Sequence, residues 1–197
     1  MKETEQKKKG QWMTHEDIVN KMLDFAPGKW YAGNILEPTA GNGNIVIGIL
    51  NKKVELGMTP QQAIDTTYAN EFDEVMFNEL VNRIVDWCKE HNCEANRDRL
   101  FNQDARTLSL GDIDYNIITN LPFGSWSNSS LPRQIINNLR KPAVYLTKWS
   151  TGCNQKYCRS VLKFENVVYE EPQVWIYWPI PRFPKHKLKK VVLTGEE

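Results

Sequence analysis

The segment from Asn34 to Leu50 constrains the fold most strongly, because it contains a strand, a glycine-containing turn and a helix in direct succession. Asn34-Ile35-Leu36-Glu37 has the apolar centre of a short buried strand. Pro38-Thr39-Ala40-Gly41-Asn42-Gly43-Asn44 forms the turn, and Ile45 to Leu50 opens a helix. This order is the start of a βαβ unit, so the sequence predicts an α/β protein with parallel strands.

The rest of the chain repeats this alternation of short apolar strands and amphipathic helices. Further strands are predicted at residues 66–70, 99–101, 115–119 and 143–147, and helices at residues 14–25, 73–88 and 132–139, with another short helix beginning at Thr59-Pro60. Residues 165–169 and 174–178 are typical of a closing antiparallel pair. We therefore predict a mostly parallel central sheet with helices on both faces and a C-terminal antiparallel hairpin.

Two helix starts carry capping signals. Thr14 is predicted as the N-cap of the first helix, with Asp17 where a capping box needs its partner. Thr59-Pro60 is typical of a capped N-terminus with proline at the first helical position.

Composition and charge favour one domain. The chain has 197 residues, of which 41% are hydrophobic, and a net charge of +1, so no global positive field attracts nucleic acid. We expect a polar tail at 1–11, a single domain at 12–183 and a basic tail at 184–197, without a separate target-recognition domain. No run of about 18 apolar residues and no signal-peptide core occur, so no membrane partner is expected and a cytoplasmic location is predicted.

Four cysteines leave two interpretations open. Cys88 and Cys93, and likewise Cys153 and Cys158, are separated by four residues, a spacing that zinc sites tolerate. Cys88 lies on an amphipathic helix, however, and reduced thiols are ordinary in cytosolic proteins. The second interpretation is the stronger one, and no metal site is predicted.

Polar residues follow the predicted strands at the sheet edge where ligands bind in such folds. Glu71 ends the second strand, and a carboxylate there can accept hydrogen bonds from ribose hydroxyls. Asp104 follows the third strand within Asn102-Gln103-Asp104-Ala105, and Asn120-Leu121-Pro122-Phe123 ends the fourth. Taken singly, each is also consistent with a tight turn, a cap or a solvated strand end.

The motifs together resemble a known family. Glu37 to Gly43 resembles the first motif of S-adenosylmethionine (SAM)-dependent methyltransferases, and Asn120-Leu121-Pro122-Phe123 resembles the Asn-Pro-Pro-Tyr/Phe motif of N6-adenine DNA methyltransferases and related RNA and protein amino-methyltransferases. The resemblance implies a Rossmann-like methyltransferase fold, with SAM as cofactor. The implied cofactor-binding residues are Thr14, Glu37, Pro38, Ala40, Gly41, Gly43, Glu71, Phe72, Asp104, Ala105 and Asn120.

The resemblance also implies the chemistry of the catalytic residues. An exocyclic amine is a weak nucleophile because its lone pair is conjugated with the ring. The Asn120 side-chain oxygen and the Leu121 carbonyl would accept its N–H bonds and turn the lone pair toward the methyl group, a catalysis by positioning. Pro122 shapes the turn, and Phe123 would stack on a base flipped from the helix. Leu121 departs from the family pattern, which has proline there.

The substrate implied by the resemblance is N6 of adenine in DNA, with ribosomal RNA bases or a protein glutamine as alternatives. A SAM-binding subunit that supports a catalytic partner is the non-enzymatic alternative. Specificity for a DNA sequence would come from a protein partner, from the loop at 124–132 with Trp126, or from the basic segment at 182–190, which could contact phosphates.

Overall fold

The computed structural model describes residues 14–122, 131–139 and 141–148, together with strands at residues 164–170, 174–179 and 189–192. Its helices are α1 Glu16–Phe25, α2 Asn44–Glu55, α3 Pro60–Asp65, α4 Glu74–Glu90 and α5 Leu131–Leu139, with short 3-10 helices at Gly28–Ala32 and Arg97–Arg99. Its strands are β1 Ile35–Glu37, β2 Thr67–Asn70, β3 Leu100–Phe101, β4 Asn116–Asn120, β5 Ala143–Lys148, β6 Phe164–Glu170, β7 Val174–Pro179 and β8 Lys189–Val192. None of the helices within these ranges is long and apolar enough to cross a membrane.

The eight strands form one sheet in the order β3-β2-β1-β4-β5-β7-β6-β8. Strands β1 to β5 run parallel to one another, which confirms the predicted parallel sheet flanked by helices. Strand β7 is antiparallel to both β5 and β6, and β8 pairs in parallel with β6, inside the segment expected to be a basic tail. The chain order reverses between β1 and β4, so the crevice beyond the carboxyl ends of these strands is where this architecture binds ligands.

Both faces of the parallel sheet are buried. Successive strand residues point to opposite sides, so neighbours in sequence belong to different cores. Leu36 and Ile117 belong to the core beneath α5. Ile35 and Ile118, their neighbours in sequence, belong to the core beneath α1 and α2. With both faces covered by apolar side chains, polar groups that can act on a ligand are concentrated at the strand ends.

The two predicted helix caps have different outcomes. Thr59 caps the start of α3 as expected, with Pro60 at its first position, and Gln62 completes a capping box that was not predicted. The Thr14 prediction is wrong, since α1 begins at Glu16 with His15 as N-cap and no side-chain capping bond. The Thr14 hydroxyl instead accepts a hydrogen bond from Asn120, a contact across 106 residues of sequence.

A buried lysine joins α2 to the amino-terminal end of the sheet. Lys53 is fully buried, and its Nζ donates to the Gly33 carbonyl (2.8 Å), the Thr66 carbonyl (2.8 Å) and the Thr66 hydroxyl (2.7 Å). Burial lowers the pKa of Lys53 to about 7, while three acceptors match the three N–H groups of the ammonium ion. Lys53 therefore holds together the two segments that precede β1 and β2.

Replacing Lys53 by methionine is expected to destabilise the fold. Lys53→Met preserves the side-chain length but leaves the Gly33 carbonyl without its donor, so we expect a loss of about 2 kcal/mol in the free energy of unfolding. Urea denaturation measures this loss. Lys52→Met is the matched control, because Lys52 pairs with the exposed carboxylates of Asp24 and Glu55, and such pairs contribute about 0–1 kcal/mol. Equal effects of the two substitutions would contradict the structural role of Lys53.

Candidate functional site

The loop after β1 has a backbone that only glycine accommodates easily. Gly41 and Gly43 have φ angles of +55° and +92°, in the left-handed region. A Cβ on Gly43 would lie 2.6 Å from Cδ1 of Leu80, so this residue also allows the loop to pack closely against α4. The predicted loop residues Pro38, Ala40, Gly41 and Gly43 are thus placed together at the start of α2.

Glu71 is placed against this loop. Its Oε2 accepts the Gly41 N–H (2.7 Å), and its Oε1 accepts the Asp73 N–H (2.8 Å). Burial raises the pKa of the Glu71 carboxyl, and these two backbone hydrogen bonds act in the opposite direction. Each carboxylate oxygen can accept more than one hydrogen bond, so these contacts leave capacity for a hydroxyl donor.

Asn70 is a site residue that sequence reasoning missed. Its fully buried amide donates to the carbonyls of Pro38 (2.9 Å) and Gln103 (3.0 Å), and its Oδ1 accepts the Gln103 N–H (3.0 Å). Its own carbonyl accepts the Ala40 N–H (2.8 Å). A polar amide inside a buried strand was the available signal, since such a group must find hydrogen-bond partners.

Asp104 and its neighbours lie at the end of β3. The Asp104 carboxylate forms an ion pair with the Arg106 guanidinium and accepts the Arg106 backbone N–H (2.9 Å). The hydrogen bond from Arg106 lowers the pKa of Asp104, so this carboxylate is charged near neutral pH. Ala105 packs into the core, whereas Phe72 is 72% exposed. A hydrogen bond from Asn102 to the Phe72 carbonyl (3.1 Å) connects the two strand ends.

Glu37 lies at the carboxyl end of β1 and is fully buried. Its Oε1 accepts hydrogen bonds from the Thr39 N–H (2.9 Å) and the Thr119 hydroxyl (2.5 Å). Burial raises the pKa of Glu37 to about 8, although these hydrogen bonds favour the charged form. Thr39 Oγ1 also lies 2.8 Å from Thr119 Oγ1 and 3.1 Å from the Asn120 carbonyl oxygen, so the ends of β1 and β4 share one network.

Asn120 ends β4 with its amide in a defined orientation. Its Nδ2 donates to the Thr14 hydroxyl (2.8 Å), while its Oδ1 is buried without a hydrogen-bond partner. Among the described residues, the only other buried side-chain oxygen or nitrogen in this condition is Oε2 of Glu37. Buried polar atoms are normally satisfied, so two unpaired acceptors on adjacent strand ends fit a ligand that offers N–H donors.

Leu121 is fixed by two interactions that a proline could not make together. Its backbone N–H donates to the Leu146 carbonyl (3.0 Å), and its side chain is 1% exposed within the core beneath α5. Proline lacks the N–H group. The rigidity that the family pattern obtains from a ring is supplied here by a ladder hydrogen bond and by packing. Pro122, which follows, is half-buried.

Other expectations fall outside the described residues or concern the cysteines. Phe123, Trp126, residues 182–188 of the basic segment and the pair Cys153 and Cys158 lie outside the described part of the chain, whereas residues 189–190 of that segment belong to β8. Cys88 and Cys93 are free thiols, and burial raises the pKa of Cys88 to about 12. Within the described ranges, no group of three or more His, Cys, Asp or Glu side chains could hold a metal ion.

The fold matches solved structures, although no protein-family model and no curated protein matches the sequence. A protein from Listeria monocytogenes described as a class I SAM-dependent methyltransferase has a TM-score of 0.59 and 12% identity, over 92% of this chain and 66% of its own. The chain has the fold of class I SAM-dependent methyltransferases. It thus spans slightly less than two thirds of that methyltransferase.

Two further matches with this methyltransferase-type fold differ in the nucleic acid they name. The DrdV–DNA complex has a TM-score of 0.69 and 11% identity, over 96% of this chain and 28% of the DrdV chain. A protein from Pyrococcus horikoshii described as an RNA methyltransferase has a TM-score of 0.63 and 15% identity, over 88% of both chains. At these identities the matches establish the fold alone.

The raised pKa of Glu37 is expected to make stability depend on pH. The folded protein retains a proton that an unfolded chain, with a pKa near 4.5, releases. This contribution to stability is therefore complete below pH 4.5 and is lost as pH rises through about 8. Glu37→Gln removes the titration. The stability of the variant relative to the original protein should rise between pH 5 and 8, by up to about 1.4 kcal/mol per pH unit.

Denaturant unfolding of the ligand-free protein at several pH values tests this prediction. Glu79→Gln, which replaces an exposed carboxyl group in α4, is the matched control and should leave the pH profile unchanged. Parallel profiles for Glu37→Gln and the original protein would show that Glu37 is charged throughout this range.

Proposed function

We propose that this protein is a SAM-dependent N-methyltransferase that acts on N6 of adenine in DNA. The observation that carries the proposal is the pair of buried, unpaired acceptors, Oδ1 of Asn120 and Oε2 of Glu37, at the ends of adjacent strands of this methyltransferase fold. Oδ1 of Asn120 accepts hydrogen bonds, and Oε2 of Glu37 accepts them once a positively charged amino group beside it favours the carboxylate. The proposed cofactor and substrate each present an amino group. The order of the motifs along the chain supports the same assignment.

On this proposal, SAM supplies a methyl group attached to a positively charged sulfur. Glu37 and the glycine loop hold its methionine end, and Glu71 accepts from the ribose hydroxyls. Phe72 would contact the adenine ring of the cofactor, and Asp104 would accept a hydrogen bond from its amino group. For this contact the Asp104 carboxylate shares or exchanges its Arg106 partner, an exposed ion pair of small net strength.

Asn120 and Leu121 act on the substrate in this proposal. Oδ1 of Asn120 and the carbonyl of Leu121 accept the two N–H bonds of the exocyclic amine, which directs the nitrogen lone pair toward the methyl group. No dedicated general base is required, because the contribution of the protein is positioning and electrostatic stabilisation. Pro122 maintains the turn, and Phe123 is proposed to stack on the extruded base.

An amino group on an RNA base is the second candidate substrate. The Pyrococcus protein described as an RNA methyltransferase matches this chain over 88% of both lengths, so its size is the more similar. The DrdV complex contains DNA, but this chain corresponds to only 28% of DrdV. The same Asn120 chemistry serves either nucleic acid, and product analysis separates them.

Asn120→Ala is expected to abolish methyl transfer while SAM still binds. Loss of one preorganised acceptor should lower the rate about 100-fold or more, with the affinity for SAM changed only a few-fold. Isotope-labelled SAM is incubated with DNA, RNA and protein substrates, and the methylated nucleosides are identified by mass spectrometry. N6-methyladenine in DNA is the expected product.

Asn78→Ala, at an exposed position of α4, is the matched control for this experiment and should retain the original rate. Incorporation into RNA alone would transfer the proposal to the second candidate. SAM binding without incorporation into any substrate would favour a non-catalytic SAM-binding subunit. Absence of SAM binding by the folded protein would overturn both versions.

A further inference from the structure

We infer that Thr14 is a positioning residue that determines which way the Asn120 amide faces. The consequence for catalysis rests on the proposed function, whereas the contact itself belongs to the ligand-free protein. The resemblance implies that Thr14 is a cofactor-binding residue. In the ligand-free structure its hydroxyl contacts the side chain proposed to hold the substrate amine.

An asparagine side chain can occupy almost the same space in two orientations that exchange its oxygen and nitrogen. With Nδ2 of Asn120 donating to the Thr14 hydroxyl at 2.8 Å, Oδ1 is the atom left unpaired. In the opposite orientation the Thr14 hydroxyl would donate to Oδ1 of Asn120, and an NH₂ group would occupy the position where Oδ1 has no partner. Buried N–H groups without acceptors are rarer than unpaired carbonyl oxygens, and this NH₂ would face the N–H bonds of an amine.

Thr14 can define this orientation because it is itself held in place. The residue is 8% exposed, and its carbonyl accepts a hydrogen bond from Nδ2 of Asn44 (2.9 Å). Oδ1 of Asn44 accepts from the Arg83 guanidinium (2.5 Å), which also donates to the Asn42 carbonyl (2.9 Å). Asn44 begins α2 and Arg83 lies on α4, so Thr14 is anchored to two helices.

These contacts form a continuous path from Arg83 through Asn44 and Thr14 to Asn120. The path includes the carbonyl of Asn42, a residue of the glycine loop. The orientation of the amide is therefore tied to the loop proposed to hold the cofactor. Because Thr14 acts through Asn120, its removal should alter the turnover rate more than the affinity for SAM.

Thr14→Val and Thr14→Ser test this inference, since valine preserves the shape and removes the hydroxyl while serine keeps it. The first readout is the side-chain amide signal of Asn120 in ¹⁵N NMR spectra of the ligand-free protein, identified by its loss in Asn120→Ala. We expect Thr14→Val to shift this signal and to accelerate its hydrogen exchange about tenfold, and Thr14→Ser to retain the original behaviour.

The second readout is methyl transfer. Thr14→Val should lower kcat about tenfold and change the Kd for SAM less than about threefold, and Thr14→Ser should restore most of the rate. Thr67→Val is the matched control. It removes a buried threonine hydroxyl that bonds the Ala63 carbonyl (2.7 Å) at the opposite end of the sheet. Thr67→Val should leave the Asn120 signal unchanged, and it should not lower kcat selectively relative to the affinity for SAM.

An Asn120 signal unaffected by Thr14→Val would overturn the inference. A weaker Kd for SAM with unchanged kcat would also overturn it and return Thr14 to the cofactor-binding residues. The two proposals can fail separately. Inactivity of the original protein on all substrates, with the expected NMR changes present, rejects the proposed function alone, because the NMR readout needs neither cofactor nor turnover.

Discussion

The fully buried amide of Asn70 is the interaction on which the ligand-binding edge of the sheet depends. It joins the loop after β1, through Pro38, to the loop after β3, through Gln103, while its backbone carbonyl holds Ala40. Together with the bonds from Gly41 to Glu71 and from Asn102 to Phe72, these contacts keep three loops that diverge from parallel strands in register. The Asn70 side chain bonds to the loops on both sides through its amide N–H groups and its oxygen. This matters in an interior where unmatched polar groups are costly.

Electrostatics at this edge follow from burial on both faces of the sheet. The carboxyl groups of Glu37 and Glu71 are partly or fully removed from water, so their charged forms are disfavoured. Asp104, near the surface and paired with Arg106, is in the opposite condition. The site thus combines one firmly charged carboxylate with two whose charge responds to what binds beside them. Such divergence of pKa values is typical of functional sites.

Features determined by nearby residues could be predicted from the sequence. The order of strands and helices follows from apolar runs and their periodicity, the glycine loop from its two glycines, and the α3 cap from Thr59 and Pro60. The parallel sheet follows from the alternation of these elements. Asn120, Glu37 and Glu71 could be selected as candidates because they are polar residues at the ends of predicted strands, at the sheet edge where such folds bind ligands.

The contacts that connect distant residues could not be predicted. Thr14 was expected to cap its own helix, and nothing local reveals that its partner is 106 residues away. Lys53 resembles a solvated residue of an amphipathic helix, yet its three acceptors come from Gly33 and Thr66. The ion pair between Asp104 and Arg106 depends on how a turn closes. These features arise from tertiary packing, which overrides what a short window of sequence encodes.

The hydrogen bond from Leu121 to Leu146 has a consequence for how this motif can evolve. A change of Leu121 to the proline of the Asn-Pro-Pro-Tyr/Phe motif would remove a hydrogen bond between β4 and β5 and empty part of the core at the same time. The substitution that increases similarity to the family is therefore harmful in this background unless β5 and α5 change with it. Leucine at this position fits its surroundings, because β5 accepts its N–H group and the core beneath α5 encloses its side chain.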